Sequence, residues 1–452
     1  MPNENSLQLH YAEAFRCIGS ACEDTCCEGW NVPVDHDTWR KYNSLPDATL
    51  PNLIRASLRL HPEETRATPA PCSSNSALFA VLRMNQEHRC PLLTEERLCR
   101  VHRELGESLL SQTCATYPRI MHALEDVQET ALALSCPEAA RLVLLSPDLC
   151  TQKAPTQLQT PSIDPNCPAA LPADFWPIRS LVLQLVRNRA YPLWQRMFLL
   201  GLFCQRLDSV ARGDLQRTVA GFLEDFQAAI ATGSVRASME TLPIDRGAQL
   251  DAVLRLAGMM LHKSNVRSRF VDCIQAFTSG IGNRPDVTFP VLTAGYTRAY
   301  DHAFAPFIER HPHILENLLI NAIVRTQFPF GKEGMAAGAQ PNKAREFGML
   351  AAQFALVRGL LIGVAGHHGS AFSTAHVVHT VQAAARHFEH HPEFLAMAHT
   401  LLVESNMDGA RGWAILLRNA ETDQVSATTP AIPPKPQSAN APASAMPIEK
   451  PT

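Results

Sequence analysis

Ten of the thirteen cysteines in this 452-residue chain fall within its first 150 residues. Four of them, Cys17, Cys22, Cys26 and Cys27, share the eleven positions that open CIGSACEDTCCEGW, with four, three and zero residues between successive members. A second set follows: Cys90 and Cys99 in CPLLTEERLCR, Cys114 in QTCATYPR and Cys136 in SCPEAARL. Thiolates suit iron and zinc, and four of them complete either a tetrahedral zinc site or a [4Fe-4S] cluster. These eight cysteines are therefore candidate metal ligands, enough for two sites or for one site with spares. Their spacing does not choose the metal.

Two plainer readings compete. A disulfide framework fits poorly, because MPNENSLQLH lacks the basic and apolar regions of an export signal and an odd total cannot pair completely. Free cysteine also serves as a small buried hydrophobe. Adjacent Cys26 and Cys27 point in different directions, which argues against that role for the first group. For Cys72, Cys150, Cys167, Cys204 and Cys273 it is the better reading, since Cys204 lies in an apolar helical stretch and Cys273 in VDCIQAF.

CIGSACEDTCCEGWNVPVDHDTWRKY at 17–42 resembles the opening motif of the flagellin lysine-N-methylase family (FliB-type). CPLL, LCRVHRELGESLLSQTCATYPR and ALSCPEAARL are similar to its next blocks, and ENLLINAIVRTQFPFG at 316–331 more weakly to a C-terminal one. The resemblance covers residues 11–145 with specific motifs. It implies transfer of a methyl group from S-adenosylmethionine to lysine ε-amines of flagellin, with a [4Fe-4S] cluster held by the N-terminal cysteines. One pattern departs from radical S-adenosylmethionine chemistry. In CEDTCCEG the CxxxCxxC spacing starts correctly, but Gly29 stands where the third cysteine belongs. No GxGxxG marks a Rossmann-type cofactor pocket either, because SGIGNRP at 279–285 lacks the third glycine.

Methylating a lysine requires its neutral amine, which at neutral pH costs about 4–5 kcal/mol given a pKa near 10.4. Burial, or a carboxylate or phenol that takes the proton, supplies this. Asp35 and Asp37, with Glu28, flank Trp30 and Trp39 in CEGWNVPVDHDTW, and Tyr117 and Arg119 lie in CATYPR. Asp35, Asp37, Tyr117 and Arg119 are thus the candidate catalytic residues. Asp35 has a competing role as the N-cap of a helix over 36–42, and Arg119 as one half of a structural ion pair. Among the histidines, His102 between Cys99 and Cys114 is a candidate outer-sphere donor. HFEHHPEF at 387–394, with His376 and His379 before it, reads as polar surface without a convergent carboxylate.

The elements that must position these residues are mostly helical. Residues 1–150 form the expected cysteine-rich metal or cluster module, and TQKAPTQLQTPSIDPNCPAALP at 151–172, with five prolines, reads as a linker. From 173 to 420 apolar residues recur every three or four positions, as in LVLQLVRNRAYPLWQRMFLLGLF, predicting an α-helical domain of eight to ten helices. GVAGHHGS at 363–370 places glycines every third residue, a pattern for close helix approach or a helix end. Residues 421–452, with seven prolines and no aromatic residue, read as a disordered tail.

Composition excludes several function classes. A net charge of -3 and a pI near 6.7 give no footprint for nucleic acid. No uninterrupted apolar run reaches the length of a membrane span, so the expectation is a soluble cytoplasmic protein with a protein substrate and no membrane partner. The alternative to an enzyme is a zinc or iron-sulfur module that only stabilises folding, fused to a helical protein-interaction domain.

Overall fold

The computed structural model describes residues 11–60, 79–124, 127–147, 149, 171–172, 174–210, 215–261, 268–331, 342–390 and 392–419. The expected linker, apart from Leu171 and Pro172, and the expected tail lie outside these residues, as do Cys72, Cys150 and Cys167. The N-terminal elements are α1 (Tyr11–Ala14), β1 (Val32–Val34), α2 (His36–Ser44), α3 (Thr49–Ser57), β2 (Leu58–Leu60), β3 (Ala80–Leu82), α4 (Gln112–Thr116), β4 (Arg119–Leu124), β5 (Val127–Leu132) and α5 (Pro137–Leu145). After them come α6 (Phe175–Arg187), α7 (Leu193–Asp208), α8 (Leu215–Thr232), α9 (Ser234–Glu240), α10 (Arg246–Leu261), α11 (Ser268–Gly280), α12 (Phe289–Ala299), α13 (Ala305–Arg310), α14 (His313–Arg325), α15 (Lys343–His368), α16 (Thr374–Phe388), α17 (Pro392–Glu404) and α18 (Ala410–Leu417). The chain is mostly helical, as the periodicity predicts. The described helices after residue 173 exceed the expected eight to ten, because short ones such as α9 and α13 escape a pattern that needs several turns to register.

Two hydrophobic cores organise these elements, and they do not divide at residue 150. The small core lies within residues 27–110. β3 is its central strand, pairing antiparallel with β1 (Val32↔Leu82) and β2 (Leu58↔Leu82). Val32 and Val34 alternate inward around Pro33, which is tolerated because β1 is an edge strand. α3 closes this core with Leu50 and Ile54, four residues apart on one face.

The large core takes in α1, the β4–β5 hairpin and α5 together with α6 to α18. The β4–β5 hairpin and α5, inside the expected cysteine module, thus belong to the helical body. Polar side chains of α14 fix that join. Asn321 bonds both backbone groups of Leu132, accepting from its N–H at 3.2 Å and donating to its C=O at 2.9 Å. Asn317 donates to the carbonyls of Val143 and Ser146 at 2.9 and 2.7 Å. Arg179 of α6 reaches the hairpin through a fully buried ion pair with Glu129 at 2.6 Å.

α15 is the axis of the body. It is apolar and long enough to cross a membrane, which no uninterrupted apolar run revealed, since scattered polar residues such as Arg358 break the run. Its 18-residue apolar window is 94% buried, so the helix is apolar all round because other helices surround it. The glycines of GVAGHHGS admit that crowding. A Cβ added to Gly280 at the end of α11 would lie 1.8 Å from the Gly363 carbonyl oxygen, so α11 and α15 meet backbone to backbone.

Candidate functional site

Backbone pairing first gathers the cysteines. The Cys90 N–H donates to the Cys27 carbonyl at 2.8 Å and Gly29 N–H to His88 O at 2.8 Å, stitching the segment 26–30 to 85–90. A bridge between Leu93 and Cys99 folds the next turn back, so Cys99 returns toward Cys90. Cys114 arrives on α4, whose N-cap Ser111 accepts from the Cys114 N–H. Asp35 aligns that helix with its neighbour. Its carboxylate accepts from the Thr38 N–H at 2.8 Å and the Thr38 hydroxyl at 2.7 Å to cap α2, and from the Gln112 N–H at 3.1 Å at the start of α4.

The result is a group of thiols close enough for their charges to act on one another, and every described cysteine is free of disulfides. Burial pushes Cys90 up to about 12, with Cys99, Cys114 and Cys26 adding to the rise. Loss of solvent around its sulfur raises Cys114 to about 11, although the residue stands at the exposed rim, and Cys99 and Cys26 add to this. Burial raises Cys136 to about 12, helped by Cys22 and Cys26. Cys26 and Cys27 share a thiol hydrogen bond that lowers the first and raises the second. The buried Tyr42 phenol is raised by burial and then by Cys114 and Cys99. Seven of the eight predicted thiols, Cys22, Cys26, Cys27, Cys90, Cys99, Cys114 and Cys136, thus lie near one another; Cys17, like Cys26 and Cys114, is exposed.

Among the described residues no set of three or more His, Cys, Asp or Glu side chains stands in metal-ligand geometry. The donor set fits a thiophilic iron or zinc centre in kind: such a cation would ionise and hold neighbouring thiols that burial and one another keep protonated. The side chains are not converged on one point. His102, the expected outer-sphere donor, is exposed on the turn Val101–Leu105.

The helical body grips this loop. Arg386 of α16 donates to the carbonyls of Thr25 at 3.0 Å and Glu28 at 2.7 Å, and pairs with Asp24 at 3.1 Å. Gln382, one turn earlier, donates to Asp24 Oδ2 at 2.7 Å and to the Ser135 carbonyl at 2.9 Å. Glu389 accepts from the backbone N–H groups of Leu134 and Ser135 and pairs with Arg325 at 3.3 Å. The described part of HFEHHPEF is thus not polar surface: His387 and Phe388 are buried, and Glu389 is spent on backbone N–H groups and Arg325 rather than on the histidines. A helix end read in isolation does not reveal what packs against it.

The other candidates separate. Asp35 is occupied at two helix starts. Burial works against its ionised form, but the hydrogen bonds from Thr38 and Gln112 outweigh that and hold its carboxyl below the usual range. Asp37 is exposed and paired with Arg40. Among the described residues Arg119 is in no carboxylate pair within bonding distance; it donates to the carbonyls of Ala12 and Phe15 at 3.3 and 2.9 Å and lies over the Phe15 ring. Tyr117 does face the thiols. Burial raises its phenol well above the ordinary value, with Cys136 next in effect, so it stays protonated at neutral pH. Its hydroxyl meets Ser135 Oγ at 3.1 Å, and Ser135 Oγ meets His390 Nε2 at 2.9 Å. Sequence reasoning missed Ser135 and His390; the SCPEAARL motif was the available signal for the first.

The model of the FliB lysine N-methylase C-terminal domain matches residues 179–416, just over half of the chain, and that span includes Gln382 and Arg386. The chain is 26% identical over 301 residues to a lysine-N-methylase of Salmonella typhimurium, covering 59% of this chain and 72% of the relative. A lysine-N-methylase of Salmonella choleraesuis is 26% identical over 297 residues, 58% and 71%. The flagellar biosynthetic protein FliU of Salmonella muenchen is 35% identical over 135 residues, 30% of this chain and 73% of that protein. No solved structure matches. The helical body and the loop it grips are those of a chain that belongs to the FliB lysine N-methylase family.

Proposed function

We propose that this protein is a lysine N-methyltransferase that moves a methyl group from S-adenosylmethionine to lysine ε-amines of flagellin. Its thiols, drawn from Cys17, Cys22, Cys26, Cys27, Cys90, Cys99, Cys114 and Cys136, hold a [4Fe-4S] cluster, with zinc as the competing occupant. The observation that carries this reading is the grip of Arg386 and Gln382, inside the matched lysine N-methylase segment, on the loop that bears Cys22, Cys26 and Cys27. The names of the relatives supply lysine methylation as the reaction and the flagellum as the setting.

The chain's own residues define what the site does. An iron-sulfur centre, when bound, supplies positive charge among the thiolates and a place to orient a sulfonium donor. Arg386 neutralises Asp24 and fixes the loop. Neither Asp35 nor Asp37 takes the lysine proton, since one is bound to two helix starts and the other faces solvent. Partial desolvation of the substrate amine on binding lowers the cost of its neutral form. Alignment of amine and methyl supplies much of the remaining acceleration.

The test is turnover by anaerobically purified protein given S-adenosylmethionine and flagellin, followed by intact mass and by release of S-adenosylhomocysteine. Stepwise methyl additions to lysine and iron with equimolar sulfide are expected. Intact metal with no methylated lysine sinks the enzyme reading; zinc without iron sinks the cluster.

A further inference from the structure

We infer that Gln382 and Arg141 are positioning residues that hold Cys22 and Cys136 side by side as two ligands of one thiophilic centre. The inference rests on the metal-binding part of the proposed function and deepens it by naming a ligand pair and the side chains that set it. The two cysteines come from distant segments, the N-terminal loop and the residue that starts α5. Each segment is fastened to the other twice.

The first clasp is Gln382 of α16, which is fully buried. Its Nε2 donates to Asp24 Oδ2 at 2.7 Å and to the Ser135 carbonyl at 2.9 Å, so the position two after Cys22 and the position just before Cys136 meet at one nitrogen. Its Oε1 accepts from Arg269 Nε of α11 at 3.0 Å, which fixes the orientation of the amide. The second clasp is Arg141 of α5, which donates to both Glu23, next to Cys22, and Glu138, two positions after Cys136. Cys136 is thus bracketed between Ser135 and Glu138, and both brackets lead to the residues that follow Cys22. The Cys22 thiol itself donates to the Asp24 carbonyl at 3.2 Å, so its sulfur is tied to the residue that Gln382 grips.

The pair has the chemistry of a soft-metal site. Both thiols are half-buried and free of disulfides, within reach of an ion. Cys136 is the N-cap of α5, where the helix N-terminus favours a thiolate. In the clasps three carboxylates, Glu23, Asp24 and Glu138, already meet three guanidinium groups, those of Arg141, Arg386 and Arg269, the last acting on Glu23. No positive charge of the clasps is left to neutralise two adjacent thiolates, and a bound soft cation supplies it. Side chains that orient metal ligands in this way set the affinity of a site without touching the ion.

The experiment treats the metal-free full chain with dibromobimane, which fluoresces once both its arms have alkylated neighbouring thiols, and identifies the linked peptides by mass spectrometry. A Cys22–Cys136 link is expected, and loading with cobalt(II) should suppress it. Cys22→Ser and Cys136→Ser should each weaken the thiolate-to-cobalt charge-transfer band. Gln382→Met and Arg141→Ala should each lower cobalt(II) affinity about ten-fold or more and reduce the link, while the melting transition of the helices stays near that of wild type. Arg141→Lys, which keeps a charged donor, should recover part of the affinity. Absence of a Cys22–Cys136 link in wild type, or a cobalt band unchanged in either serine variant, overturns the ligand pair. Link and affinity both unchanged in Arg141→Ala and Gln382→Met overturn the positioning role. A wild type that binds cobalt without protecting the link defeats only this pair, whereas one that forms the link but takes up neither cobalt nor iron defeats the metal reading and the inference with it.

Discussion

The two cores differ in what holds them together. The large core interlocks long helices, with α11 and α15 in backbone contact at Gly280 and Gly363 and with buried polar pairs joining distant elements. The small core has three-residue strands, two nine-residue helices and a few aliphatic side chains. Cores of that size are marginal without a staple. Its staples are Asp35, the grip of Arg386 and, in the proposed holoprotein, the metal. The body thus supplies rigidity, while the clustered thiols sit in a region held to it by docking contacts.

The largest effect should come from driving apart the closest helices of the body. Gly280→Ala places a methyl against a backbone carbonyl that has no alternative position, and a loss above about 4 kcal/mol is expected. Urea unfolding followed by far-UV circular dichroism reads it. A stable Gly280→Ala protein would show that the body is looser than the contrast requires.

Next comes the buried pair. Arg179→Met strands Glu129 in the core and is expected to cost about 3–5 kcal/mol, whereas Arg179→Met with Glu129→Leu should recover most of it. If the single and double variants unfold at the same urea concentration, the pair does not carry the junction.

His122 on β4 gives the body a pH dependence. Burial lowers its pKa to about 4; the Arg325 carbonyl opposes the shift at 2.9 Å, and the Arg179 and Arg325 charges reinforce it. The folded form therefore binds fewer protons than the unfolded form. This stability is present above the unfolded value near 6.5 and is lost as pH falls toward about 4, a change of about 3 kcal/mol. His122→Gln should flatten the stability profile in that window; an unchanged slope would place the titration elsewhere.

The smallest effect on the body should come from Arg386→Ala. Losing its bonds to Thr25, Glu28 and Asp24 should release the cysteine loop at a local cost of about 1–3 kcal/mol. Limited proteolysis should cut within residues 17–30 and metal retention should fall, while the melting transition of the helices barely moves. A large fall in that transition would mean that the two cores unfold as one.

Much of this architecture was legible locally. The three-to-four-residue spacing of apolar side chains predicted helices after residue 173, because each amphipathic helix repeats its own geometry. Asp35 was readable as an N-cap because its partner, Thr38, lies three residues away. The glycines of GVAGHHGS announced a close approach without naming its partner. The membrane-length character of α15 escaped because scattered polar residues interrupt the apolar run although burial is nearly complete.

The sequence by itself determined the helical class, the crowding of thiols and the family, since each is carried by short-range spacing or by ordered motifs. Only the tertiary structure decided that the β4–β5 hairpin and α5 join the helical core, and that Trp30, Tyr117, Ser135 and His390 meet. Ser135 and His390 are 255 positions apart. No local periodicity encodes such a contact, because it exists only after the asparagines of α14, Gln382, Arg386 and Glu389 have satisfied the backbone groups of segments far away along the chain.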